Sequence, residues 1–138
     1  MFRKILHAND GSEHAFEAFA MALRIAKKDK AELHMVSVAE TGHMPKLIGQ
    51  PHEPTQTPAA RFENVLKRAR SMAGDSDKLH THVLSGHPVH DIVKLATELK
   101  VDLIVVGSSG HSSLYDRMIG SRAQKILHHA PCPVLVVK

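Results

Sequence analysis

Val101-Asp102-Leu103-Ile104-Val105-Val106-Gly107-Ser108-Ser109-Gly110 passes from an unbroken apolar run straight into a turn rich in glycine and serine. Residues 102–106 therefore predict a strand covered on both faces, because a half-exposed strand would alternate apolar with polar residues. Strands of that kind belong to parallel sheets, in which the crossover helices lie over both faces.

The same alternation of strand-like and helix-like periods recurs on either side of this stretch. Residues 2–8 read as a first strand, broken by Asn9-Asp10-Gly11. Ser12 is placed to cap a helix reaching about Lys28, with Phe16, Phe19, Ala20, Leu23 and Ala26 at helical spacing. Residues 32–38 predict a second strand. Thr57-Pro58 opens a second helix, with an apolar stripe of Phe62, Val65, Leu66, Ala69, Met72 and Ala73. Residues 78–84 predict a third strand, and Gly86-His87-Pro88 starts a third helix. Ser121 is the expected cap of a fourth helix, with Gln124 completing a capping box. Pro131-Cys132-Pro133 stops that helix ahead of a last strand, Val134-Leu135-Val136-Val137. The expectation is one α/β domain over residues 1–138, a doubly wound five-stranded parallel sheet in the order 3-2-1-4-5 with four helices. Residues 39–57 are long for a connection, a length typical of functional lids or mobile loops.

In such a sheet, ligands bind beyond the C-terminal strand ends where the winding reverses. That point lies between strands one and four, where Ala8-Asn9-Asp10-Gly11-Ser12 meets Gly107-Ser108-Ser109-Gly110. The second segment continues through His111 to Gly120-Ser121 at the expected start of the fourth helix. Glycine and serine there present backbone N–H groups with little obstruction, and a helix N-terminus adds unpaired N–H groups and the positive end of a dipole. From composition alone, a phosphate-binding loop and an ordinary glycine-rich turn before a capped helix remain alternatives.

The spacing Gly107-x2-Gly110-x9-Gly120-Ser121 resembles the ATP-binding motif of the universal stress protein family. The first strand with Asp10-Gly11-Ser12, the 101–107 strand and His129-Ala130-Pro131-Cys132-Pro133-Val134-Leu135-Val136-Val137 are similar to that family as well. The resemblance spans essentially the whole chain apart from the 39–57 loop. It implies an adenine nucleotide alpha hydrolase-like α/β fold, a homodimer, and membership of the class that binds ATP. Carried over by position, it implies that Ala8, Asn9 and Asp10 meet the adenosine, with Asp10 at the ribose. The backbone around Val38 would bracket adenine. Gly107 would lie near the ribose or first phosphate. Ser109, Gly110, Gly120, Ser121 and the N–H of Arg122 would hold the phosphates, with His111 a further ligand within the loop. Arg122 departs from the small or β-branched residue usual there, and its guanidinium either reaches phosphate or points to solvent. Asp116 and Arg117 would position the loop. ATP is the expected ligand, with AMP or another adenine nucleotide as alternatives, and Mg²⁺ can accompany the phosphates.

No residue beside the loop stands out as a general base, so the expectation is a nucleotide-holding stress-response or regulatory module rather than a fast enzyme. Two alternatives remain: slow ATP hydrolysis or nucleotidyl transfer on the same fold, and an interaction module with the loop empty. The apolar strand at residues 133–137 is an edge that antiparallel pairing with a second copy would cover. An unidentified protein partner is also implied.

Composition narrows the remaining classes. One Tyr, four Phe and no Trp cannot build a base-stacking face, and the basic stretches that make up much of the +4 net charge fall on the polar faces of helices. Neither nucleic acid nor membrane is an expected partner, and the cytoplasm is the expected location. The single cysteine, Cys132, is read as a small buried hydrophobe. Twelve histidines are many for this length. His80-x-His82, His87-x2-His90 and His128-His129 match no metal motif, and the polar outer face of an edge strand accounts for the first pair. No metal ligand is assigned.

Overall fold

The computed structural model describes residues 1–41, 57–108 and 119–138. The five strands are β1 (Lys4–Ala8), β2 (Glu32–Glu40), β3 (Leu79–Gly86), β4 (Leu103–Gly107) and β5 (Val134–Val137). They form one sheet in the order β3-β2-β1-β4-β5, every neighbouring pair parallel. This is the order the alternating pattern predicts. The helices are α1 (Glu13–Asp29), α2 (Pro58–Arg61), α3 (Glu63–Met72), α4 (Pro88–Leu99) and α5 (Ser121–His129).

Local chemistry sets the helix starts. The Ser12 hydroxyl accepts the Ala15 N–H at 3.2 Å, and the Thr57 hydroxyl accepts the Ala60 N–H at 3.2 Å. The expected second helix is divided. A single turn, α2, ends at Phe62, whose φ of −102° and ψ of 10° interrupt the helix before α3 begins. Phe62 is buried there, so packing of the ring overrides continuity of the backbone. The fourth predicted helix is also capped differently. Gly120, in extended conformation, takes the cap position, Ser121 is the first helical residue, and no side chain caps the end. The Gln124 amide donates instead to the Ile119 carbonyl at 3.0 Å.

Two apolar layers sandwich the sheet. On one face, Ile5, Leu33, Met35, Leu103 and Val105 pack under Phe16, Phe19, Ala22 and Ala69 from α1 and α3. On the other, Leu6, Val36, Ile104 and Val106 pack under Ile92, Ala96, Ala123 and Ile126 from α4 and α5. Central strands buried on both sides explain the unbroken apolar run of β4. Asp102 ties the sheet's lower edge together, its carboxylate accepting the N–H groups of Arg3 and Lys4 at 2.9 and 3.1 Å. Cys132 is half-buried, and burial pushes its thiol above the usual range, which suits a packing role.

Two groups of histidines enter the fold differently. His7 is fully buried in β1, 5.4 Å from the Phe19 ring, with Nδ1 2.9 Å from the Val105 carbonyl. His34 on β2 lies between His80 and His82 of β3, its ring stacked on both at centroid distances of 4.7 and 5.2 Å. The register explains the stack, since His34 pairs directly with His80 and Val36 with His82. Burial holds His34 and His82 below the usual imidazole range.

Candidate functional site

Beyond the C-terminal ends of β1 and β4, where the winding reverses, lies a cavity of about 350 Å³. That volume is within the range of small-molecule sites, roughly 300–1,000 Å³. Ala8, Asn9, Asp10, Val38, Gly107, Gly120, Ser121 and Arg122 all line it. These are the sequence-assigned site residues that fall among the described residues, and one cavity brings them together. Ser109, Gly110 and His111, together with Asp116 and Arg117, lie outside the described residues. So does most of the 39–57 connection, from residue 42 to residue 56.

Asn9-Asp10-Gly11 leaves β1 through two overlapping side-chain turns. The Asn9 Oδ1 accepts the Gly11 N–H at 2.8 Å, and the Asp10 Oδ1 accepts the Ser12 N–H at 3.0 Å. Gly11 has φ of +89°, which a side chain would strain. These turns hold Asp10 at the cavity wall. Asn9 is 2% exposed, and its Nδ2 has no partner among the described residues. A buried amide donor in a cavity wall leaves a hydrogen bond for a ligand to complete.

Gly107 is a glycine for a reason the motif does not state. A Cβ there would lie 3.0 Å from the backbone oxygen of His14, so any side chain would push α1 off β4. Its absence allows the close helix–strand approach that closes one side of the cavity. Ser108 is buried, and its carbonyl accepts the Gly120 N–H, joining the end of β4 to the start of α5. The first intrahelical bond of α5 runs from the Gln124 N–H to the Gly120 carbonyl. The N–H groups of Ser121, Arg122 and Ala123 therefore lack partners within the helix. With the helix dipole, they favour an anion.

The Arg122 guanidinium is half-exposed at the mouth of α5. It donates to the Glu40 carboxylate at 2.7 Å, an ion pair joining the end of β2 to the first turn of α5.

Sequence reading missed the apolar wall. Val36 of β2, Pro88 and Ile92 of α4 and Ile126 of α5 line the cavity beside the expected Val38. Strand periodicity places Val36 on the same face as Val38 and could have found it. Ser12 and Ala15 from the start of α1 complete the lining near Asp10. One side of the cavity is thus apolar, and the other carries a carboxylate, hydroxyls and backbone N–H groups with no helical partner.

Comparison with known proteins gives one family. The model of the universal stress protein family matches residues 1–138. The chain is 37% identical over 142 residues to a universal stress protein of Thermus aquaticus, covering 100% of both chains. It is 34% identical over 144 residues to universal stress protein MJ0531 of Methanocaldococcus jannaschii, covering 100% of this chain and 83% of that one. Among solved structures, universal stress protein UspA from Lactobacillus plantarum superposes with a TM-score of 0.79 at 27% identity, covering 99% of this chain and 97% of that one. A universal stress protein crystallised in complex with cAMP shares the fold, with a TM-score of 0.75 at 22% identity and coverage of 99% and 97%.

Proposed function

The chain belongs to the universal stress protein family, and from that premise we propose that it is an adenine-nucleotide-binding regulatory module whose principal ligand is ATP. The observation that carries this reading is the convergence of the eight described site residues on one cavity at the winding reversal. Val36, Val38 and Ile92 supply an apolar slot for a flat base. Asp10 is placed to accept hydrogen bonds from ribose hydroxyls. The first turn of α5, from Gly120 to Arg122, receives the phosphates. A structural neighbour crystallised in complex with cAMP adds support, since cAMP shares an adenosine phosphate with ATP. The Ser121 hydroxyl at the phosphate end is a hard oxygen donor of the kind Mg²⁺ takes, so that end of the cavity suits a phosphate-bound Mg²⁺.

Equilibrium dialysis of the purified chain against ATP, AMP and cAMP tests the reading. One ATP per chain is expected, with AMP weaker because it leaves most of the α5 terminus unfilled. Absence of binding by all three at millimolar concentration would remove it.

The module is proposed to act as a homodimer. β5 is an edge strand whose four residues, Val134, Leu135, Val136 and Val137, are only half-buried. Antiparallel pairing with β5 of a second copy would cover them. Light scattering at micromolar concentration should give twice the chain mass, and a single-chain mass would count against this arrangement.

A further inference from the structure

Glu32, His34 and His80 place one ligand atom each within 4.8 Å of the others, on β2 and β3 and apart from the nucleotide cavity. From this geometry we infer a second site, for a divalent cation of the zinc class, with Glu32, His34 and His80 as its protein ligands. The donor set is two imidazoles and one carboxylate, which zinc accepts and which leaves a coordination position for water.

The His34 Nε2 lies 3.4 Å from the Glu32 Oε2. Ligand bonds of about 2.0–2.1 Å in tetrahedral array put two donor atoms about 3.3 Å apart. The pair therefore already stands at the separation a metal imposes. His80, opposite His34 in the register, is exposed, and its ring would tilt out of the stack on His34 to aim a nitrogen at the same point.

His82 supplies the support that a ligating histidine requires. Its Nε2 is 2.9 Å from the Nδ1 of His34. With the His34 proton on Nδ1 and donated to His82, the lone pair of His34 Nε2 faces Glu32 and His80. An outer partner that fixes tautomer and ring orientation is a regular feature of zinc-bound histidine. His34 is also buried at 7% exposure, so its ring cannot swing away. Among the described residues, the cation paired with this carboxylate is Lys4, whose Nζ is 3.9 Å from the Glu32 Oε2. Both groups are at the surface, and Lys4 can retreat into solvent as the metal arrives.

The polar face of an exposed edge strand accounts for His80 and His82, but not for His34, a buried imidazole of β2 stacked on both beside a carboxylate. The sequence pairs His80 with His82. The fold inserts His34 between them and makes His82 the support rather than a ligand.

The test is titration of the tag-free full-length chain with Zn²⁺ against a chromophoric chelator, and with Co²⁺ followed by visible absorption. The expected result is one site per chain, with a Co²⁺ ligand-field band of tetrahedral or five-coordinate intensity. His80→Ala and Glu32→Gln, both at exposed positions, should each weaken binding by about tenfold or more and abolish the band. Outer-partner losses alone reach about 10–100-fold, so His82→Ala should weaken the metal while keeping the band. Circular dichroism and ATP dialysis on the same variants should match the parent chain. No Zn²⁺ uptake at high micromolar concentration would overturn the inference. So would uptake unchanged in His80→Ala and Glu32→Gln, which would assign the metal to other histidines.

Discussion

Gly120→Asp should bind ATP at least about 100-fold more weakly than the parent chain, with a thermal midpoint unchanged or slightly raised. The two effects part because they draw on the same N–H groups. Gly120 is the N-cap of α5, with φ of −62° and ψ of 157°, a conformation that any L-residue adopts. Aspartate is a better cap than glycine by a few tenths of a kcal/mol and adds a favourable charge at the positive end of the helix. Its carboxylate would accept the N–H of Arg122 or Ala123, the donors left open at that terminus. Those are the donors assigned to the phosphates, so a fixed negative charge would occupy their place and repel them. A 100-fold loss corresponds to about 2.7 kcal/mol. Dialysis with ATP and a thermal melt on the same sample check both halves. Unchanged affinity would mean that the phosphates do not reach α5, and the nucleotide reading would then rest on the adenosine end alone. A fallen midpoint would point to damaged packing. Gly120→Ala, which adds no charge, is the control and should lose much less.

The two sides of this site were unequally legible in the sequence, for a physical reason. Asn9-Asp10-Gly11 and the segment from Gly107 onward are turn residues directly after apolar runs, and turn chemistry is local. The strand order follows from the alternation of periods and from the rule that places the first strand at the centre of a doubly wound sheet. The apolar wall was hidden because Val36, Ile92 and Ile126 have nothing in their local sequence to separate a cavity wall from the core. Only the packing of α4 and α5 side by side on one face of the sheet leaves part of them facing a cavity. The Arg122–Glu40 ion pair joins residues 82 apart, and the histidine stack depends on the register between β2 and β3. Neither has a local signature. The two helix errors have one origin. At Phe62 burial of a ring outweighs helical continuity, and at Gly120 the bond to Ser108 sets the helix start one residue earlier than the Ser121 hydroxyl suggested.

Acid should destabilise this fold by about 3 kcal/mol between pH 6.5 and pH 4 through His7 alone. The side chain is fully buried, and desolvation lowers its pKa to about 4, against the opposing effects of the Val105 hydrogen bond and the Asp10 charge. The Nδ1–H donates to the Val105 carbonyl, which leaves Nε2 as the unprotonated nitrogen, with no partner among the described residues. Above about pH 6.5 His7 is neutral whether the chain is folded or unfolded, and the stability is fully present. Below it the unfolded chain takes up a proton that the folded chain refuses until about pH 4, so stability falls as pH falls through that window. Each tenfold difference in proton affinity between the folded and unfolded chains is worth about 1.4 kcal/mol. For a chain of this length, 3 kcal/mol lowers the thermal midpoint by about 10 °C. His34 and His82 are displaced in the same direction and steepen the loss. Urea unfolding at a series of pH values separates them, because His7→Gln keeps a donor for Val105 and has nothing to titrate. Its stability should depend less on pH than that of the parent chain, whatever its absolute value at pH 7. An equal slope in both chains would exclude His7 as the acid-sensitive group. His7 stands three residues before Asp10 on the strand that feeds the cavity. Protonating it in the folded chain would therefore loosen the core under the segment that carries Asp10, and the nucleotide site should weaken only near pH 4, below the pH at which the fold begins to lose stability.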